Sequence, residues 1–252
     1  MLSGIAASLP PVDWTLLTLA AFAVLVGAIV QGSSGMGLGL VSAPALIIID
    51  PNLGPGPVLV LTVILSSVMI WREFGSIDRP GLAISFSGRV VGSVVAGAIY
   101  SLLPLSAYEL VFGILILGAV LLSVFGGRIE RTPRNLVFAG FTSGIMGTLT
   151  SAGSPTIALV YQKSGGPVIR ATLSAFFLLS SMFSLLVLIV IGKFGMKQLT
   201  ATLVYVPVML VGFAFSNLVV RHISNDAVRR FVLGISGASA LVLIARAMVS
   251  IL

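Results

Sequence analysis

The sequence predicts an all-α polytopic membrane protein made of two inverted repeats, each a glycine-broken helical hairpin followed by three transmembrane helices. Three observations predict this fold class. The 252 residues are 58% hydrophobic and 8% charged, with a mean hydropathy of +1.18, whereas soluble domains carry roughly 25% charged residues. Glycine-rich breaks interrupt two apolar segments, at Gly32–Gly39 and Gly144–Gly153. In each half of the chain, three further apolar segments follow the broken one.

Residues 1–127 are predicted to form repeat 1. The arginine-rich stretch 128–134 is predicted to form a cytoplasmic linker. The hairpin covers about 14–49, and helices follow at about 57–71, 81–103 and 107–125. A spanning helix needs about 20 apolar residues. The later segments meet that length, whereas the short hairpin arms either span the membrane or only dip into it.

Residues 135–252 are predicted to form repeat 2, with a hairpin at about 136–161 and helices at about 167–191, 199–220 and 227–252. Small motifs recur between the halves. Gly32-x-x-Gly35 matches Gly144-x-x-Gly147, Pro57 matches Pro167, and Gly92 falls on Gly212. Motifs that recur in the same order in both halves indicate an internal duplication.

The basic residues predict the orientation. Arg79, Arg131, Lys163 and Arg230 lie in four different loops, and cytoplasmic loops carry an excess of Lys and Arg. Placing these loops inside puts both termini outside and makes each hairpin return to the side it entered from. Each half then has an odd number of crossings, so the second half is inverted relative to the first. Inverted repeats with a substrate site at their interface are a recurrent transporter architecture.

Composition excludes several function classes. The net charge of +7 is read as a topology signal in loops rather than a nucleic-acid-binding surface. With no cysteine and one histidine, His222, the chain offers no metal cluster, and we predict no cofactor. An enzyme usually needs a nucleophile, a base or metal ligands, so we predict that the protein is not an enzyme. A subunit that only binds partners stays an alternative.

The breaks themselves are the predicted binding site. Lipid does not satisfy freed backbone groups, so a broken helix lies against protein or a water-filled cavity. A helix that restarts after a break directs a partial positive charge at the site. The alternative is that the glycines only allow close packing and the hydroxyls bond back to their own helices. The candidate tip residues are Gln31, Ser33, Ser34, Gly35, Thr148, Thr150, Ser151 and Ser154.

Arg89 completes the candidate set. An arginine at membrane depth costs roughly 2.5–3.5 kcal/mol on insertion scales, so it should face protein or water. Small residues such as Ser85 and Gly92 surround it at helical spacing. Three roles stay open for Arg89. Its side chain contacts the ligand or a gate, pairs with other groups of the protein, or extends to the lipid headgroups at the cytoplasmic surface. Because none of the seven acidic residues falls in the middle of a span, the pocket favours anions over cations.

Two halves that each open with a glycine-rich hairpin ending in proline resemble the sulfite exporter TauE/SafE family of bacterial membrane permeases. The residues that carry this resemblance are Gly32-x-x-Gly35-x-Gly37-x-Gly39 to Pro44 and Gly144-x-x-Gly147 to Pro155. The resemblance implies a multi-pass transporter in the bacterial inner membrane for sulfite, sulfoacetate or another organosulfonate, working by alternating access at the hairpin tips. A passive anion channel, and a carrier of a non-sulfur carboxylate or oxyanion, are the alternatives. The expected partners are the small anion, the lipid bilayer and a possible second copy in a homodimer.

Overall fold

The computed structural model describes residues 14–127, 129–222 and 225–251, and these residues form ten α-helices and no β-strand. Some residues of the predicted repeats and linker lie outside the described residues, namely residues 1–13, Arg128 of the linker, residues 223–224 and residue 252. The ten helices are α1 (Trp14–Ser34), α2 (Leu38–Ile49), α3 (Gly56–Glu73), α4 (Arg79–Leu102), α5 (Leu105–Phe125), α6 (Pro133–Thr150), α7 (Ser154–Tyr161), α8 (Gly166–Val190), α9 (Met196–His222) and α10 (Asn225–Ile251).

Six of these helices, α1, α4, α5, α8, α9 and α10, are long and apolar enough to cross a membrane, and α2 and α3 are shorter apolar helices. The all-α, polytopic fold class is therefore confirmed. The arms of each hairpin are unequal. In hairpin 1, α1 has 21 residues and α2 has 12, and in hairpin 2, α6 has 18 and α7 has 8. At about 1.5 Å per residue, α1 is long enough to span and α7 is not.

The chain breaks later than the first glycine of each motif. Gly32 stays helical and packs against Ser216 and Phe213 of α9, where a side chain would not fit. Hairpin 1 turns instead at Gly35 and Gly37, whose φ angles of 84° and 131° favour glycine. Hairpin 2 turns at Ser151, the one non-glycine residue with positive φ (61°) in the described chain.

Helices from the two halves of the chain pack in matching pairs. Helix α4 lies along α6, and α9 lies along α1, while α3 pairs with α8 and α5 pairs with α10. Exchanging the two halves converts the α4–α6 pair into the α9–α1 pair and leaves the α3–α8 and α5–α10 pairs unchanged. A pair of structural repeats produces such a pattern. The boundaries of the repeats and their inversion across the membrane stay predictions.

The α4–α6 pair is the most extensive contact between the halves. Gly88 and Gly92 of α4 abut the backbone of α6, and Gly140 and Gly144 of α6 abut the backbone of α4. Small residues at these positions let two helix backbones touch, as in other membrane interfaces. The contact fixes the position of Arg89, which lies between Gly88 and Gly92 on α4.

Ion pairs mark two ends of the bundle. At one, the Asp50 end, Lys197 bonds the Asp50 carboxylate at 2.9 Å. Arg246 lies at the same end, since it donates to the Ile48 carbonyl at 3.0 Å. At the other, the Asp78 end, Arg131 bonds the Asp78 carboxylate at 3.0 Å. Loops that the sequence places on one side of the membrane thus lie together.

Candidate functional site

The two hairpin tips meet. Gly39, in the first turn of α2, lies so close to Ser151 that a Cβ on Gly39 would overlap the Ser151 carbonyl oxygen. The Ser151 hydroxyl also donates to the carbonyl of Pro55, just before α3, at 2.8 Å. Gly35 of hairpin 1 lies against Arg170 near the start of α8. Each tip therefore contacts the other tip and the third helical segment of the opposite half.

A small cavity of about 20 Å³, here called the tip cavity, lies between the tips. That volume is enough for about one water molecule. Glycines of both tips, Leu59 and Phe177 form part of its wall. None of its lining residues is acidic. Its polar lining residues are Gln31, Thr62, Arg89, Ser151, Ser154, Ser180 and Ser181.

Among the described residues, Arg89 is the only charged one that lines the tip cavity. The side chain is 2% exposed, so it does not snorkel to the membrane surface. Its Nη1 donates to the carbonyl oxygen of Ser143 and, at 3.0 Å, to the Ser143 hydroxyl, while Nη2 donates to the Ser184 hydroxyl at 2.8 Å. Its Nε has no hydrogen-bond partner among the residues that the structure describes. Within the described chain these partners are neutral, so the guanidinium charge has no counter-ion.

The partners of Arg89 are themselves fixed by hydrogen bonds. The Ser143 hydroxyl donates to the Gly153 carbonyl at 2.8 Å, across the tip of hairpin 2. The Ser184 hydroxyl shares a hydrogen bond of 2.8 Å with the hydroxyl of Thr148. Gly147 makes room for the guanidinium, because a Cβ there would overlap its terminal nitrogens. The guanidinium is therefore held in one orientation between α6 and α8.

Gln31 has a comparable role in hairpin 1. Its side-chain carbonyl accepts from the backbone N–H of Leu38 at 3.2 Å, and its amide lies 3.5 Å from the Ser66 hydroxyl. Gln31 precedes Gly32 as Ser143 precedes Gly144 in the repeated glycine motif. In both hairpins the residue before the motif thus bonds across the tip and joins the two arms.

Three of the predicted hydroxyls bond back to their own helix. Ser33 and Ser34 donate to the Val30 carbonyl at 2.7 and 2.9 Å, and Thr150 donates to the Met146 carbonyl at 2.6 Å. This is the local bonding that Ser and Thr often make in helices. These three residues do not line the tip cavity.

The structure therefore divides the predicted residues. Gln31, Arg89, Ser151 and Ser154 line the tip cavity, and Thr148 reaches Arg89 through Ser184. Gly35 forms the turn of hairpin 1 beside Arg170, while Ser33 and Ser34 line a separate, larger cavity.

Sequence reasoning missed the serines that bind Arg89. Ser143 immediately precedes the repeated glycine motif of hairpin 2, and Ser184 lies in α8, away from both breaks. One signal was available: Ser180, Ser181 and Ser184 are spaced three and four residues apart, which places them on one face of α8. That polar face is turned toward the tip cavity, and the Ser180 hydroxyl has no hydrogen-bond partner among the described residues.

The comparisons with known proteins agree with this architecture. A family profile described as "Sulfite exporter TauE/SafE" matches residues 19–243. The chain belongs to the sulfite exporter TauE/SafE family. A family of exporters is a transporter family rather than an enzyme family, and its name suggests membrane transport of sulfur-containing anions. Together with the six apolar helices, membership identifies a multi-pass membrane protein. A search of curated proteins and a search of solved structures found no match.

Proposed function

We propose that the protein is a secondary transporter that carries a small sulfur-containing anion, such as sulfite, sulfoacetate or another organosulfonate, across the bacterial inner membrane. One observation carries the proposal: Arg89 is buried in a cavity between the two hairpin tips and has no carboxylate partner among the described residues. The membership in the sulfite exporter family supports the sulfur-containing substrate class.

An uncompensated buried charge is costly, because burial removes its hydration. A bound anion would supply the missing counter-charge at Arg89. Arginine suits this role because its planar group donates paired hydrogen bonds to the oxygens of oxyanions. The Nε of Arg89 and the hydroxyl of Ser180 have no hydrogen-bond partner among the described residues and supply further donors. These donors and the absence of an acidic lining residue favour a sulfite or sulfonate group over a cation.

The size of the tip cavity supports alternating access. About 20 Å³ holds one water molecule but not an organosulfonate, so the surrounding segments must separate to admit the substrate. Hairpin tips from opposite halves form its wall, and the pairing of α1 with α9 matches that of α6 with α4. Two inverted halves that rock against each other would open the cavity to one side at a time. The proposed orientation places both termini outside.

Flux in proteoliposomes tests this function. With purified protein, we expect saturable uptake of labelled sulfoacetate or sulfite that is stimulated by unlabelled anion trapped inside. Carboxylates of similar size serve as the matched competitors and should inhibit less. Single-channel currents without stimulation by trapped anion would instead establish the passive channel. Preferential transport of the carboxylates would establish the non-sulfur carrier.

Ser184→Ala tests the positioning of Arg89. We expect a roughly tenfold weaker affinity for the transported anion, because a hydrogen bond to a charged group contributes roughly 1.5–3 kcal/mol and its loss frees the guanidinium to move. Isothermal titration of the detergent-purified protein measures the affinity. Ser101→Ala is the matched control, since Ser101 is exposed and bonds only to its own helix, at the Ala98 carbonyl. Unchanged affinity in Ser184→Ala would mean that Ser184 does not orient Arg89 for binding.

A further inference from the structure

The hydrogen bonds of Arg89 leave part of its guanidinium unused. A guanidinium carries five N–H groups. Two bonds of Nη1 go to Ser143, and one bond of Nη2 goes to Ser184. The N–H of Nε and the second N–H of Nη2 therefore have no acceptor among the described residues. Neighbouring donors of this planar group bind two oxygens of one oxyanion, so Arg89 by itself is matched to two oxygens.

Ser180 adds a donor to the same cavity. It lies one helical turn before Ser184 on α8 and lines the tip cavity. The side chain is 1% exposed, and its hydroxyl has no hydrogen-bond partner among the described residues. A buried hydroxyl without a partner opposes folding, because it has lost its hydration without gaining a bond in the protein. The chain therefore keeps an unbonded hydroxyl in the Arg89 cavity at a cost in stability.

The other hydroxyls of the tip cavity differ from that of Ser180. Thr62 and Ser151 each donate to a backbone carbonyl at 2.8 Å, so their protons are already used. Ser154 and Ser181 also line the cavity. Among the described lining residues, Ser180 is the only one whose hydroxyl is both fully enclosed and unbonded. It is therefore the hydroxyl that gains most from a ligand oxygen.

We propose that Ser180 determines which anions the site prefers, by donating to the third oxygen of a sulfite or sulfonate group whose other two oxygens are bound by Arg89. Sulfite and sulfonates carry three oxygens on sulfur in a pyramidal arrangement, whereas a carboxylate carries two oxygens in a plane. A carboxylate therefore uses the donors of Arg89 and leaves Ser180 unbonded. This inference rests on the proposed function, because it assumes that the tip cavity binds an anion.

Arg89 and Ser180 are joined through one helix, so they stay together when the cavity opens. Ser180 belongs to α8, and Arg89 is bonded to α8 through the Ser184 hydroxyl at 2.8 Å. Hairpin 1 contributes Gly37 and Gly39 to the cavity wall but makes no hydrogen bond to Arg89. Separation of the hairpin tips therefore enlarges the cavity without moving Ser180 away from Arg89.

Ser180→Ala tests the third contact with two probes that share a methyl group, methanesulfonate and acetate. Isothermal titration of the detergent-purified protein measures both affinities. We expect the wild-type protein to bind methanesulfonate more tightly than acetate. In Ser180→Ala the affinity for methanesulfonate should fall about tenfold while that for acetate changes less than about twofold, because only the sulfonate loses a hydrogen bond to a charged group. The ratio of the two affinities is the readout, since a structural defect would lower both.

Ser174→Ala is the matched control. Ser174 lies on the same helix, is also 1% exposed and also has an unbonded hydroxyl among the described residues, but it is not part of the tip-cavity lining. Both alanine variants remove a buried hydroxyl that lacks a partner, so both should unfold at or above the wild-type temperature without ligand. Only Ser180→Ala should change the ratio of affinities. Ser184→Ala, which acts through the position of Arg89, should weaken both anions alike.

The outcomes separate this inference from the proposed function. If the wild-type protein prefers methanesulfonate but Ser180→Ala weakens both probes equally or neither, or if Ser174→Ala changes the ratio as much, Ser180 is not the selective contact and the proposed function stands. A loss of selectivity in Ser181→Ala but not in Ser180→Ala would assign the third contact to the neighbouring serine and overturn the inference. If the wild-type protein does not prefer methanesulfonate, the inference fails, and the flux assay decides whether the proposed function fails with it.

Discussion

Arg89→Met is expected to reduce anion flux by at least about a hundredfold, because the substitution removes the charge at the tip cavity and with it charge-assisted hydrogen bonds worth roughly 1.5–3 kcal/mol each. No other described residue in the lining of this cavity is charged, so no described neighbour replaces Arg89. Methionine keeps a long, flexible side chain in the same space. The variant therefore tests the charge and the donors rather than the volume.

We expect Arg89→Met to fold. The serines that accept from Arg89 do not lose all their hydrogen bonds in this variant. Ser143 still donates to the Gly153 carbonyl, and Ser184 still shares a hydrogen bond with Thr148. The variant also removes a buried charge whose desolvation opposes folding. The predicted alignment of Gly92 with Gly212 places the fully buried Met209 at the position that corresponds to Arg89. A methionine is thus already accommodated at the corresponding position of the second half.

Flux in proteoliposomes and thermal unfolding in detergent are the two measurements. Arg79→Met is the matched control, since Arg79 is exposed at the start of the same helix and should leave flux unchanged. Arg89→Lys keeps the charge, but its single ammonium group replaces a planar fork that reaches both Ser143 and Ser184, so we expect partial flux. Wild-type flux in Arg89→Met would exclude Arg89 from binding. Loss of folding would show that its role is structural.

The fold class could be predicted because the bilayer restricts the possible structures. A chain this apolar spans the membrane only as helices or as a closed barrel, and the long apolar segments indicate helices. The exact ends of the hairpin arms were harder to predict. Gly32 remains helical and packs against Ser216 of α9, more than 180 residues away in sequence (216 − 32 = 184). Local patterns do not contain such contacts.

The candidate site was predictable where a residue was unusual for its surroundings. Arg89 stood out because charges are rare inside apolar helices. Its partners did not, because Ser143 and Ser184 lie 54 and 95 residues away in sequence and serines are common in these helices. Ser33 and Ser34 show the converse problem. They lie beside the break, but a bond to the carbonyl of Val30 competes with any other use of their hydroxyls.

Gly39→Ala is expected to cause the second largest loss, by forcing the two hairpin tips apart. The added Cβ would overlap the carbonyl oxygen of Ser151, which is backbone and does not move aside as a flexible side chain does. Overpacking a core typically costs 1–3 kcal/mol, and a rigid obstacle places this variant at about the upper end. Because Gly39 also lines the tip cavity, anion binding should weaken together with the thermal stability.

Gly118→Ala provides the control for this prediction, because Gly118 is also helical but a Cβ there would meet no atom within 4 Å. Replacing glycine by alanine in an unobstructed helix stabilises by up to about 1 kcal/mol, so this variant should unfold at or above the wild-type temperature. The two variants change the same atoms, and they differ in what the new methyl group meets. If Gly39→Ala matches Gly118→Ala in unfolding temperature and in anion affinity, the tips do not touch at Gly39 and Ser151. A lower unfolding temperature with retained affinity would separate the packing of the tips from the binding of the anion at Arg89.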